Sequence, residues 1–131
     1  MYLLDTNACI AVLNNASRAL VARLRERTPQ EVLLCSIVKA ELIYGAYHSA
    51  RAAENLRLLQ EFFAPFGSLP FDDECAAHYG RIRDELERAD TPIGPNDLVI
   101  AATALAHHLV LVTDNTREFE RVVGLQLENW M

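Results

Sequence analysis

Four carboxylates stand at the ends of this chain's apparent elements. Asp5 follows a short apolar strand, Glu41 lies just inside a helix, Asp97 opens another helix, and Asp114 ends a strand. In an open parallel sheet, ligands bind outside the carboxyl ends of the strands, so acids at strand exits and helix entries share one rim. Gathering them is costly: two unit charges about 4 Å apart repel by roughly 4 kcal/mol at an effective dielectric near 20. A helix N-terminus returns only about 0.3–1 kcal/mol. A divalent cation offsets the remainder, and oxygen-only donors suit Mg2+ or Mn2+ rather than zinc, which prefers His and Cys. Such a site supports metal-assisted cleavage of a phosphodiester. Asp5, Glu41, Asp97 and Asp114 are therefore the candidate catalytic and metal-holding residues.

Taken singly, each acid has a plainer explanation. An Asp after a strand commonly forms a turn or caps a helix, and a lone Glu41 reads as a solvated helix residue. Thr6, Asn7, Ser36 and Asn115 read as caps, yet each adjoins a proposed ligand and could orient it or meet substrate. Arg117 and Arg121 lie one turn apart beyond Asp114. Pairing with Glu118 and Glu120 explains them, and phosphate contact by Arg117 is the sharper reading.

The elements that would position these groups alternate between apolar runs and helical patterns, the mark of a parallel α/β sheet. Strands are expected at Tyr2-Leu3-Leu4, Val32 to Cys35, Leu109 to Thr113 and Leu125 to Leu127. A weaker strand at Ser68 to Phe71 suits an edge, because Pro70 cannot donate to a ladder. Helices are expected from Asn7 to Leu13, after a Ser17 cap, after a Ser36 cap to about Tyr47, and from about Ala50 to Phe63. Three more run from Asp72 or Asp73 to Ala89, from Asn96 to about His107, and from Thr116 to Val123. Residues Leu98 to Ala106 are apolar nearly all round, which predicts a central, buried helix. The whole of residues 1–131 reads as one domain without repeats or linkers.

Hydrophobic residues make up 51% and charged residues 23%, the balance of an ordinary soluble globular protein. Charges interrupt every apolar run before the roughly 18 residues of a membrane span, and Asp5 interrupts any signal sequence. Cys9, Cys35 and Cys75 are odd in number and lack C-x-x-C spacing, so they read as buried thiols in a reducing cytoplasm. A net charge of −6 does not favour a nucleic-acid partner, but the four candidate ligands supply much of it. The basic residues are eleven arginines and Lys39, and arginine's planar fork suits phosphate oxygens.

Leu4-Asp5-Thr6-Asn7, Ser36 with Glu41-Leu42, Gly94-Pro95-Asn96-Asp97 with Ile100-Ala101-Ala102, and Thr113-Asp114-Asn115 with Glu118-Phe119 recur in a particular order. In that order and at those separations they resemble the PIN-domain metal-dependent ribonucleases, and among them the VapC-type toxins. The resemblance covers nearly the whole chain. It implies a three-layer α/β/α sandwich with a central, mainly parallel sheet, homodimerisation, and inhibition by a VapB-like antitoxin. It also implies Mg2+-dependent endoribonuclease activity, with Asp5, Glu41, Asp97 and Asp114 as the acidic site. Some relatives carry Asn where this chain has Asp114. The stretch from Asn115 to Val122 and the terminal Glu128-Asn129-Trp130 resemble the subgroup that cuts initiator tRNA, which makes tRNA the first expectation for substrate.

Rival readings fare less well. A receiver-like phosphoacceptor wants a lysine near the last strand, and Lys39 sits early. A P-loop nucleotidase lacks its G-x-x-x-x-G-K-[ST] loop. Histidine-based RNase chemistry finds His48 and His78 alone on helices and His107-His108 adjacent, facing apart. The alternative from another class is a catalytically silent PIN-like binding module, and intact acids at all four positions argue against it.

Overall fold

The computed structural model describes residues 1–131. Its centre is β1 (Tyr2–Leu4), flanked by β2 (Val32–Cys35) on one side and β4 (Val110–Val112) on the other. The edges are β3 (Gly67–Leu69) and β5 (Leu127–Glu128), giving the order β3-β2-β1-β4-β5 with every pair parallel. Seven helices complete the chain: α1 (Thr6–Leu13), α2 (Arg18–Arg25), α3 (Ser36–Tyr47), α4 (Ala52–Phe63), α5 (Asp73–Arg88), α6 (Pro95–Ala106) and α7 (Thr116–Phe119). The chain first steps outward from β1 to β3, then crosses to β4 and steps out the other way. Right-handed crossovers of opposite direction place α1–α4 and α5–α6 on opposite faces, which makes the three layers. That reversal also puts a crevice at the carboxyl ends of β1 and β4, where Leu4 lies opposite Val112.

Leu3, Leu4, Leu34, Leu111 and Val112 are buried on the strands, as near-continuous apolar runs in a doubly covered sheet must be. Helix α6 buries Leu98, Ile100, Ala101, Ala102, Thr103, Ala104 and Ala106, and its small side chains let it pack closely on α5. Three helices end in left-handed residues, Asn15 after α1, Asp90 after α5 and His108 after α6. Each is followed by an amide reaching back one turn, as in Ala16 N–H to Ala11, Thr91 N–H to Leu86 and Leu109 N–H to Ala104.

Several expected boundaries move. Ser36 does not cap α3: Cys35 holds the cap position, and the Ser36 hydroxyl donates to the Leu69 carbonyl at 3.3 Å. The edge strand β3 starts one residue earlier than expected and stops before Pro70, which has no N–H to offer. Strand β4 is shorter than its apolar run, because Leu109 closes the turn after α6, while Thr113 just beyond it still donates its N–H to Glu128 of β5. Helix α7 is one turn long, and β5 lies at Leu127–Glu128 rather than Leu125 to Leu127.

The C-terminal tail is anchored by Trp130, which is 1% exposed. Its ring meets Tyr2 at 4.9 Å between centroids, its indole N–H donates to Glu128 at 2.9 Å, and the Arg27 guanidinium lies over both rings. This residue packs; it does not face the crevice. Trp130→Ala is expected to cost about 3–5 kcal/mol of stability, read as a lower urea midpoint at unchanged slope.

Candidate active site

Asp5 caps α1 and is almost wholly buried, 3% exposed. Its Oδ1 accepts the Ala8 amide at 2.8 Å, its backbone N–H donates to Val112 at 3.1 Å, and the Thr113 hydroxyl hydrogen-bonds its carboxylate. Burial raises its pKa above the ordinary carboxylate value; Thr113 and the Ala8 amide oppose that, while Asp114 and Glu41 add to it. The residue that follows the central strand is thus fixed by both β1 and β4.

Glu41 lies in the second turn of α3, and Thr6 at the start of α1 donates to its Oε1 at 2.6 Å. Thr6 therefore fixes the Glu41 carboxylate rather than capping a helix. Asp97 lies in the first turn of α6, behind Pro95, whose missing N–H costs nothing at that position. Its pKa is pushed up to about 7, first by burial, then by the neighbouring Glu118 carboxylate, then by Asp5 and Glu41. Asp114 is exposed just beyond β4, near enough to Asp5 to raise its pKa.

The fifth acid is Glu118, which the sequence reading included in the fourth motif but explained as a pairing partner for surface arginines rather than as a site residue. In the structure it turns inward from α7. It accepts the Gly94 amide at 2.8 Å and the Asn115 side-chain amide at 2.7 Å. Burial pushes its pKa up, but the hydrogen bonds from Gly94, Asn115 and Asp97, with the Arg121 charge, hold it below the usual value. A Cβ at Gly94 would stand 3.7 Å from both the Asp97 and Glu118 carboxylates, so the small residue lets the two acids close on each other. The signal lay in its spacing, one turn from Asp114 on the same short helix entry.

Asn115 thus orients Glu118, while Asn7 and Arg117 are exposed at the rim. Arg121 donates to the Pro92 carbonyl at 3.0 Å, away from the expected pairing with Glu118 across the surface. Ser36 is bonded to the edge strand and joins none of the carboxylates.

The acids face one another across the crevice, yet no three bring an oxygen each within 4.8 Å of one another. The donor chemistry fits a hard divalent cation, since the acids facing the crevice offer carboxylate oxygens.

A pH dependence follows. Without divalent cations, Asp97 holds its proton in the folded chain up to about 7, whereas the unfolded chain releases it near 3.8. The folded state then binds more protons across that window, so stability falls as pH rises through it. The depressed Glu118 acts in the opposite sense, at lower pH. Urea midpoints measured in chelator are expected to decline from about pH 4 to about 7, and Asp97→Asn should flatten the decline.

Residues 2–125 match the PIN domain family model. The chain is 40% identical over 129 residues to the tRNA(fMet)-specific endonuclease VapC of Salmonella typhimurium, covering 98% of this chain and 97% of that one. It is 41% identical over 132 residues to the enzyme of the same name from Shigella flexneri, with 98% and 97% covered. Its backbone superposes with a TM-score of 0.94 on the crystal structure of DNA-bound VapBC from Salmonella typhimurium, at 40% identity and covering 99% and 98% of the two chains. With this fold, this crevice and full-length similarity to VapC proteins, the chain belongs to the PIN-domain family, in its VapC group.

Proposed function

We propose that this chain is a Mg2+-dependent endoribonuclease toxin, acting on tRNA with initiator tRNA as first candidate, and neutralised by a VapB-like antitoxin. The observation that carries the reading is the set of buried or half-buried carboxylates facing one crevice, with Asp97 raised to about 7 by burial and its acidic neighbours. A silent binding module has no use for that arrangement.

Asp5, Glu41 and Asp97 would hold the cation, with Asp114 and Glu118 completing or orienting the set. Bound there, a divalent cation supplies positive charge that polarises a phosphate oxygen and acidifies water. The chain's own groups do the positioning. Thr6 aims Glu41, Thr113 and the Ala8 amide fix Asp5, and Gly94 and Asn115 fix Glu118. A cation held there would favour the ionised form of Asp97, and a carboxylate not engaged with it would orient the attacking water. Arg117, exposed at the rim, supplies a fork for phosphate oxygens despite the net charge of −6.

Beside the crevice, α1, α3 and α4 form an apolar groove of about 320 Å³ lined by Ile10, Leu13, Leu42, Leu58 and Leu59, with Glu41 in its wall. Tyr44 and Tyr47 on α3 are two-thirds exposed nearby. An antitoxin segment seated in that groove would reach the acids and block RNA entry. No helix is long and apolar enough to cross a membrane.

Asp5→Asn and Asp97→Asn are each expected to lower tRNA cleavage by about 10²-fold or more while circular dichroism stays unchanged. Chelation should abolish cleavage of the parental chain, with Mg2+ or Mn2+ restoring it. Cleavage at the parental rate by either variant ends the reading. Mapping the 5′ ends of RNAs cut in cells expressing the chain identifies the substrate; breaks outside initiator tRNA would remove that candidate.

A further inference from the structure

A second cluster of ligating groups lies where the start of α5 meets the end of α6. Asp72 is the N-cap of α5 and Cys75 lies in its first turn, while His107 is the C-cap of α6. Asp72 gives one oxygen, Oδ1, to the Cys75 amide at 3.0 Å, which leaves Oδ2 facing His107 Nε2 at 3.9 Å. Cys75 Sγ stands 3.8 Å from the same nitrogen. One ligand atom from each of the three residues lies within 4.8 Å of the other two. Bonds of about 2.0–2.3 Å in a tetrahedron separate zinc's ligand atoms by about 3.4–3.6 Å, so small side-chain rotations close the set.

Helix capping accounts for Asp72 alone. It does not call for a thiol and an imidazole to converge on that carboxylate's free oxygen. The Asp72 and His107 side chains are 44% and 27% exposed, which leaves an entry path and an open fourth position, while Cys75 is wholly buried.

We propose that Asp72, Cys75 and His107 form a thiophilic metal site that takes one Zn2+, with water in the fourth position, and ties α5 to α6. Asp97 and His107 are ten residues apart on the same helix, about 15 Å along its axis, so this site is separate from the acidic crevice. Ligand softness sorts the ions: sulfur and imidazole select zinc here, and the oxygen-only crevice selects Mg2+. On binding, the thiol proton passes to solvent and a sulfur–zinc bond forms with no change of oxidation state. Affinity therefore falls as pH falls, because the buried thiol must ionise.

The test is a Co2+ titration of the metal-free full chain, read by the thiolate-to-cobalt charge-transfer absorption and followed by displacement with Zn2+. One equivalent of Co2+ should develop the band, and Zn2+ should erase it. Cys75→Ser should abolish the band, and His107→Gln should weaken binding by about 10-fold or more. Cys9→Ser and Asp97→Asn should each leave it intact. If Cys75→Ser fails to fold by circular dichroism, His107→Gln carries the test, since His107 is partly exposed at a helix end. No band in the parental chain, a band unchanged in His107→Gln, or a band lost in Asp97→Asn overturns the site and leaves a capped helix start only.

Discussion

Repulsion among carboxylates held in one crevice is the constraint on which the rest of this structure turns. Asp5 is the fixed point, because burial removes water from it and two strands hold its backbone. Glu41 and Asp97 arrive from helices on either side, and Glu118 follows from the short helix after β4. Nothing in the chain neutralises them. Arg121 moderates Glu118, but no lysine or arginine enters the crevice as a hydrogen-bonded partner, so burial and repulsion raise the pKa of Asp97 to about 7.

The fold tolerates this through small, well-satisfied anchors rather than through compensating charge. Ala8 and Gly94 amides, Thr6 and Thr113 hydroxyls and the Asn115 amide each give a hydrogen bond to a specific carboxylate. Such donors favour the ionised form and fix its direction without filling the space between the acids. Behind them, the alanine-rich face of α6 packs on α5 and the central strands, so Asp97 is carried on one of the most buried elements. Preorganisation of the crevice is thus a property of the core.

The same helix pair brings softer ligands together at its far end. Two regions of one small chain therefore differ in the ions they suit, hard oxygen donors at one end of α6 and a thiol and imidazole at the other. On the surface helices five arginines pair with an acid one turn away, such as Arg57 with Glu61 and Arg81 with Glu85. These exposed pairs contribute little to stability.

Much of this was written in the sequence. Apolar runs alternating with helical periodicity specified a parallel α/β sheet, because strands buried on both faces need continuous hydrophobes and helices need one apolar stripe. Acids placed at strand exits specified a shared rim, since topology alone puts those positions on one edge. Local chemistry was legible wherever a residue acts on its neighbours, as with Ser17 capping α2 and Asp72 capping α5. Tertiary structure decided the remainder. Glu118 looks like any surface helix acid until the β4 crossover lays it beside Gly94, 24 residues earlier in the chain. Ser36 has the type of a cap, but an edge strand offers its hydroxyl a better partner. Trp130 became core because the tail after β5 brings its ring against Tyr2 and the Arg27 guanidinium. In each case the deciding partner is remote in sequence, and only packing chooses it.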